Sequence, residues 1–99
     1  MTTVNNDLPV PIIESPRSTE PAKNKVFVRG RVPGKEGDSV TVHRAGTGQA
    51  LLTVDYKGNN EWSGTLTEDL TKGPHSITAR LTRGKEYSSF SPTQQFIVE

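Results

Sequence analysis

The sequence predicts an all-β domain, a sandwich of two antiparallel sheets with about seven strands. Three observations predict it. Apolar and polar residues alternate with a period of two in several short segments, clusters of Gly, Pro and Asn separate those segments, and no segment shows the i, i+3, i+4 spacing of an amphipathic helix. A chain of 99 residues with 30% hydrophobic side chains suffices for one domain with a modest core.

Residues 1–24 read as a leader that precedes the sandwich. Its four prolines are Pro9, Pro11, Pro16 and Pro21. Each fixes φ and lacks a backbone donor, so the leader cannot supply a central strand or a helix interior. We expect a flexible segment, with residues 1–7 disordered. The apolar patch at Val10, Ile12 and Ile13 predicts an edge strand at residues 10–15 that docks on the sandwich.

Residues 25–99 carry the strand and turn signals of the sandwich. Alternation predicts strands at about residues 26–32, 39–43, 52–54, 62–66, 76–81 and 96–98. Turn signals lie between them, at residues 33–38, 45–48, 55–61, 72–74 and 83–85. The inward positions predict a core of Val28, Val32, Val40, Val42, Leu52, Val54, Trp62, Leu66, Leu70, Ile77, Ala79, Leu81, Phe96 and Val98.

The turn Asp55–Glu61 and the Trp that follows it are the most informative run of the chain. Gly58 and two Asn residues favour a turn between two strands, and Trp62, the sole Trp, alternates with Gly64 and Leu66 on the inward face. Trp62 is therefore expected to fill the core rather than to stack on a sugar. The oxygen donors of the turn lack the spacing of a calcium loop, so we interpret it as an Asx-type turn.

Four segments of this chain resemble the repeat pattern of bacterial immunoglobulin-like domains. They are Val28–Val42 for the opening G-x-A-x-P-G-x-x-V-x-V, Asp55–Trp62 for a D-x-x-G-x-W hairpin, Leu70–Ala79 for L-x-x-G-x-H-x-I-T-A, and Ser91–Val98 for the closing S…F-x-V. The order and spacing of the four segments make the resemblance specific. Glu61 and the doubled Asn59-Asn60 lengthen the turn before Trp62 relative to the family pattern, and Val32 replaces its small residue.

The resemblance implies an immunoglobulin-like sandwich and a place within a larger exported bacterial protein, often an adhesin. In such proteins these domains act as spacers or presentation modules. It further implies an extracellular or cell-surface location, neighbouring domains of the same polypeptide as partners, and a monomeric module. The chain itself shows no signal peptide, since residues 1–8 lack both a basic and an apolar region.

Composition and motifs argue against most chemistry. The absence of Cys excludes disulfides, thiolate zinc sites and Cys nucleophiles, and a net charge of +1 favours neither nucleic acid nor a membrane surface. His43 and His75 lie on different predicted strands without further ligands, so we expect no metal and no cofactor. No phosphate loop, nucleophile elbow or H-E-x-x-H motif is present, which predicts a protein without catalytic residues.

A second hypothesis is a module that binds a glycan or a host protein through its end loops. Its candidate contacts are Tyr56, Asn59, Asn60, Tyr87 and Phe90, with the three aromatic side chains expected to be exposed. A third hypothesis is an accessory domain of a secreted enzyme. Arginines such as Arg29, Arg31 and Arg80 would face outward on different sheets, and no interleaved aromatic residues support nucleic-acid binding.

Overall fold

The computed structural model describes residues 3–99. Every regular element in that range is a strand, and the strands are β1 (Thr3–Val4), β2 (Ile12–Ser15), β3 (Phe27–Arg31), β4 (Ser39–Arg44), β5 (Ala50–Asp55), β6 (Glu61–Thr65), β7 (Gly73–Arg83), β8 (Glu86–Tyr87) and β9 (Gln94–Val98). This confirms the predicted all-β sandwich, with the two-residue strands β1 and β8 added to the expected seven. Over the same range, no helix has the length and apolar character needed to cross a membrane.

The strands form two sheets, and β7 is the centre of the larger one. The larger sheet has six strands in the order β1–β8–β7–β4–β5, with β9 also paired to β7. The smaller sheet has the order β2–β3–β6. All pairs are antiparallel except β1 with β8. Because β7 has eleven residues, its first half can pair with β9 and its last two residues with β8.

Two buried serines complete the edge of β7 between β8 and β9. The Ala79 N–H donates to Ser91 Oγ and the Leu81 N–H donates to Ser88 Oγ, both at 2.9 Å. In return, the Ser91 and Ser88 N–H groups donate to the carbonyls of Ala79 and Leu81 at 2.7 and 2.8 Å. Residues 88–91 thereby satisfy backbone groups that would otherwise be buried without partners.

Replacing Ser91 with alanine should lower the free energy of unfolding by about 1–3 kcal/mol, because the Ala79 N–H would be buried without an acceptor. Urea denaturation followed by circular dichroism measures this change. Ser89→Ala is the matched control, since the Ser89 hydroxyl bonds to Asn6 at the exposed surface, and it should change stability by less than about 0.5 kcal/mol. Equal effects of the two substitutions would contradict the role assigned to Ser91.

The core lies between the two sheets. Its buried apolar side chains are Leu8, Val26, Val28, Val32, Val40, Val42, Tyr56, Trp62, Leu66, Leu70, Ile77, Ala79, Leu81, Phe96 and Val98. Of the residues predicted to form the core, Leu52 and Val54 are partly buried and pack against this cluster, and the others are buried. Leu8, Val26 and Tyr56 are buried in addition to the residues predicted to form the core.

The turn after β5 does not form the hairpin that the repeat pattern implies. It carries the chain from the larger sheet to the smaller one, since β5 pairs with β4 and β6 pairs with β3. Gly58 and Asn60 have φ of 87° and 64°, a left-handed conformation that Gly and Asn adopt at low cost. Asn59 Oδ1 accepts the Glu61 N–H at 3.4 Å, as the Asx-turn interpretation predicts.

The leader lies along the sandwich from Thr3 onward. The two residues of β1 pair in parallel with β8, Leu8 is buried in the core, and β2 pairs with β3 within the predicted segment 10–15. Ala22 bridges to Val98 at the other end of the domain. The expected flexibility of residues 1–24 stays a prediction, and Met1 and Thr2 lie outside the described residues.

Candidate binding face

The structure separates the residues predicted to contact a ligand. Tyr56 is 3% exposed, so the expectation that it lies exposed at the turn is wrong. Its hydroxyl accepts the Asn60 N–H at 2.7 Å and its own N–H donates to the Asp38 carbonyl at 2.9 Å, which holds the ring inside the turn. Asn59 and Asn60 remain exposed in that turn.

Tyr87 and Phe90 come together elsewhere, on the outer face of the larger sheet. Ile77, Ala79 and Leu81 of β7 are fully buried between the sheets, so the residues that alternate with them face outward. Val40 and Val42 are the corresponding buried residues of β4. Register places Arg80 opposite Thr41 and His43 opposite Thr78. Tyr87, on the neighbouring strand β8, pairs with Thr82 of β7. We call His43, Arg80, Tyr87 and Phe90 the Arg80 cluster.

Arg80 is the charged centre of this cluster. The central guanidinium carbon lies 3.6 Å from the centroid of the Tyr87 ring and 4.8 Å from that of the Phe90 ring, close enough for cation–π attraction. The Nε atom is buried without a hydrogen-bond partner. The ion pairs found within residues 3–99 involve Arg31 and Arg83, not Arg80. The guanidinium is thus positioned by aromatic rings and not neutralised by a carboxylate.

His43 supplies a second polar group to the cluster. Its Nδ1 lies 3.0 Å from the Gly48 carbonyl, and because a carbonyl only accepts, Nδ1 carries the proton. The Nε2 atom is buried and has no partner within the described part of the chain. The imidazole meets the Phe90 ring at 5.3 Å between centroids with an interplanar angle of 89°. Phe90 itself is 47% exposed and forms the outer wall of the cluster.

From the sequence, Arg80 and His43 are candidates only for nucleic-acid and metal binding, and the pattern does not predict that they lie together. Alternation with Ile77, Ala79 and Leu81 did place Arg80 on the outward face. The missing information was the pairing of β4 with β7, which brings residue 43 beside residue 78, and the return of residues 87–90 over that face. Neither is a local property of the sequence.

The remaining polar candidates lie apart from this cluster. His75 donates from Nε2 to the Thr71 carbonyl at 2.7 Å and stacks on Phe96, with centroids 5.9 Å apart. Arg29 and Arg31 are exposed on the smaller sheet. Across residues 3–99, no group of three or more His, Asp or Glu side chains is arranged to hold a metal ion.

A buried ion pair fixes the end of the domain near Tyr56. Asp38 is 3% exposed at its side chain and accepts two hydrogen bonds of 2.8 Å from Arg83, whose side chain is 34% exposed. The Lys35 N–H also donates to Asp38 Oδ2 at 2.8 Å. The hydrogen bonds from Arg83 lower the pKa of Asp38 below its ordinary value of 3.8, against the opposing effect of burial. The same contact raises the pKa of Arg83.

These observations define the chain as a two-sheet immunoglobulin-like sandwich with an aromatic and cationic cluster on one outer face. Its fold is similar to that of the BSP domain of a biofilm-associated protein, with a TM-score of 0.66 and 18% identity over 93% of this chain. The match covers 14% of that protein's chain, so the present sequence spans only a small part of it. No protein-family model and no curated protein matches the sequence.

Two further solved structures share the fold. One is an engineered protein with a TM-score of 0.57 and 26% identity, matched over 96% of this chain and 21% of its own. The other is CopC from Methylosinus trichosporium OB3b, with a TM-score of 0.54 and 14% identity, matched over 92% of this chain and 93% of its own. Likeness at such low identity shows a common sandwich architecture and does not carry function from one protein to another.

Proposed function

We propose that the chain is a non-catalytic spacer or presentation module of a larger bacterial surface or secreted protein that acts in adhesion. Its partners are then the neighbouring domains of the same polypeptide, its location is extracellular, and the isolated module is a monomer. The observation that carries the proposal is the position of the first and last described strands, which lie at opposite ends of the domain.

The length of the central strand β7 gives the distance between these two strands. Thr3 pairs with Glu86, which itself pairs with Arg83 at the last residue of β7. Val98 pairs with Gly73 at the first residue of β7. Eleven strand residues that rise about 3.4 Å each place the two ends about 34 Å apart. The longest dimension of the domain is 36 Å, so the chain crosses nearly all of it.

The end of the domain near Val98 is tied to the leader. The Ala22 N–H donates to the Ile97 carbonyl at 2.8 Å and the Glu99 N–H donates to the Ala22 carbonyl at 2.9 Å. Residues 3–22 thus extend from one end of the sandwich to the other. A domain that fixes its first and last strands at opposite ends sets a defined distance between whatever precedes and follows it, which is the property that a spacer needs.

The likeness to one domain of a biofilm-associated protein supports the same proposal, because that match covers 14% of a much longer chain. The alternative is a module that binds a ligand through its end loops. One of its candidate contacts, Tyr56, is buried and cannot contact a ligand. The accessory-domain alternative has no observation that favours it over a spacer.

Proteins that contain one, two and three directly joined copies of the chain test the spacer function. We expect the maximum dimension measured by small-angle X-ray scattering to grow by about 35 Å with each copy, because the first strand β1 and the last strand β9 lie at opposite ends of the domain. Two copies joined by a long Gly/Ser linker are the control and should give a broader distribution of distances. Copies that pack side by side, with little increase in length, would refute the proposal.

A further inference from the structure

We propose that the outer face of the larger sheet binds an acidic sugar, a pyranose that carries a carboxylate, at the Arg80 cluster. This inference goes beyond the spacer function and does not rest on it. It follows from a fixed cation without a counter-charge, from the geometry of the rings that hold it, and from the hydroxyl-rich sheet around it.

The unpaired charge is the first argument. A guanidinium stays protonated at all ordinary pH values, and a buried polar atom without a partner is rare in folded proteins. Both Arg80 Nε and His43 Nε2 are such atoms, and both side chains contact Phe90. None of the ion pairs in the described range neutralises Arg80. An incoming anion would supply the missing counter-charge.

The orientation of the guanidinium selects a carboxylate. Tyr87 covers one face of its plane at 3.6 Å and Nε is buried, so the N–H groups along the Nη1–Nη2 edge are the ones left for a ligand. A carboxylate binds that edge with two parallel hydrogen bonds. Because the rings already hold the side chain in place, little rotamer entropy remains to be lost when the ligand arrives.

The surroundings favour a sugar as the carrier of the carboxylate. The outward side chains of β4 and β7 near the site are Ser39, Thr41, His43, Ser76, Thr78, Arg80 and Thr82, with no acidic residue among them. Thr41 lies directly opposite Arg80, and its hydroxyl, 3.2 Å from Thr53 Oγ1, keeps capacity for a further hydrogen bond to a ligand. Phe90 offers a half-exposed ring, whose negative face suits the C–H groups of a pyranose.

The site is a shallow face and not a closed pocket, so one copy should bind a single sugar with about millimolar affinity. Several copies along one polypeptide would bind a polymer of such sugars more tightly, because each further contact becomes intramolecular. The expected ligand is therefore an acidic polysaccharide, and its monosaccharide unit is the practical probe.

Titration of the ¹⁵N-labelled chain with sodium glucuronate tests the proposal. We expect saturable shifts at Arg80 Nε–H and at the amides of Tyr87 and Phe90. Glucose keeps the ring and lacks the carboxylate, and acetate keeps the carboxylate and lacks the ring, so both should bind at least about tenfold more weakly. Absence of saturable shifts with glucuronate would overturn the site. Tighter binding of an acidic peptide than of glucuronate would overturn the sugar assignment.

Variants separate the site from general electrostatics. Arg80→Gln should abolish the glucuronate shifts, and Arg80→Lys should weaken binding because an ammonium cannot form the planar pair of hydrogen bonds. Arg29→Gln is the matched control, an exposed arginine on the outer face of the other sheet, and should leave binding unchanged. Equal losses in the Arg80 and Arg29 variants would refute the assignment. None of these changes should alter the length of the tandem proteins, so the two proposals can fail independently.

Discussion

Replacing Trp62 with alanine should lower the free energy of unfolding by about 3–5 kcal/mol, the cost of removing a buried ring from a close-packed core. Trp62 is 3% exposed, and its cross-strand partner is Gly30. A Cβ on Gly30 would lie 2.5 Å from Cζ2 of the indole, so the ring packs directly on the glycine backbone. Because a small domain has only about 5–15 kcal/mol in total, the variant should be close to unfolding.

Thermal and urea denaturation followed by circular dichroism measure the loss, since the substitution removes the indole fluorescence. Phe27→Ala is the control, because Phe27 is on the adjacent strand but half exposed, and it should cost much less than Trp62→Ala. A loss below about 1 kcal/mol for Trp62→Ala would contradict the role of the indole as the centre of this core.

The contact between Gly30 and Trp62 shows what alternation can and cannot predict. The period of two placed both residues on the inward face, and the structure confirms that. It could not show that they are opposite each other, because register depends on pairing between distant strands. Gly30 is required there for a second reason: a Cβ would also clash with the Ile12 carbonyl oxygen of the leader strand, far inside van der Waals contact.

Tyr56 and the Arg80 cluster are features of the candidate sites that a local sequence pattern does not predict. A tyrosine in a polar turn is predicted to be exposed. This turn, however, passes between the two sheets and encloses the Tyr56 ring. Arg80 and Phe90 are distant in sequence from His43, and only the pairing of β4 with β7 in the larger sheet brings them together. Fold class follows from short-range patterning, whereas the candidate binding face follows from topology, which the sequence pattern does not encode locally.

The ion pair of Asp38 with Arg83 depends on topology in the same way, and it should determine how stability changes in acid. The pKa of Asp38 is lowered in the folded chain, so the pair stabilises the fold fully above about pH 4. As pH falls below 3.8, the unfolded chain takes up the proton first, and this stabilisation is lost on the way to the lower folded pKa. The domain should therefore become less stable in strong acid.

Arg83→Met keeps the apolar stem of the side chain and removes its charge, which leaves the Asp38 carboxylate buried without its cation. We expect a loss of about 2–3 kcal/mol at pH 7, below the usual cost for a broken buried pair because Arg83 is a third exposed. The loss should be smaller at pH 2, below the ordinary pKa of 3.8, because uptake of a proton by Asp38 weakens its pairing with Arg83. Arg31→Met removes only exposed ion pairs and should cost less than about 1 kcal/mol at either pH. If the cost of Arg83→Met were the same at pH 7 and pH 2, Asp38 would not be the group through which Arg83 stabilises the fold.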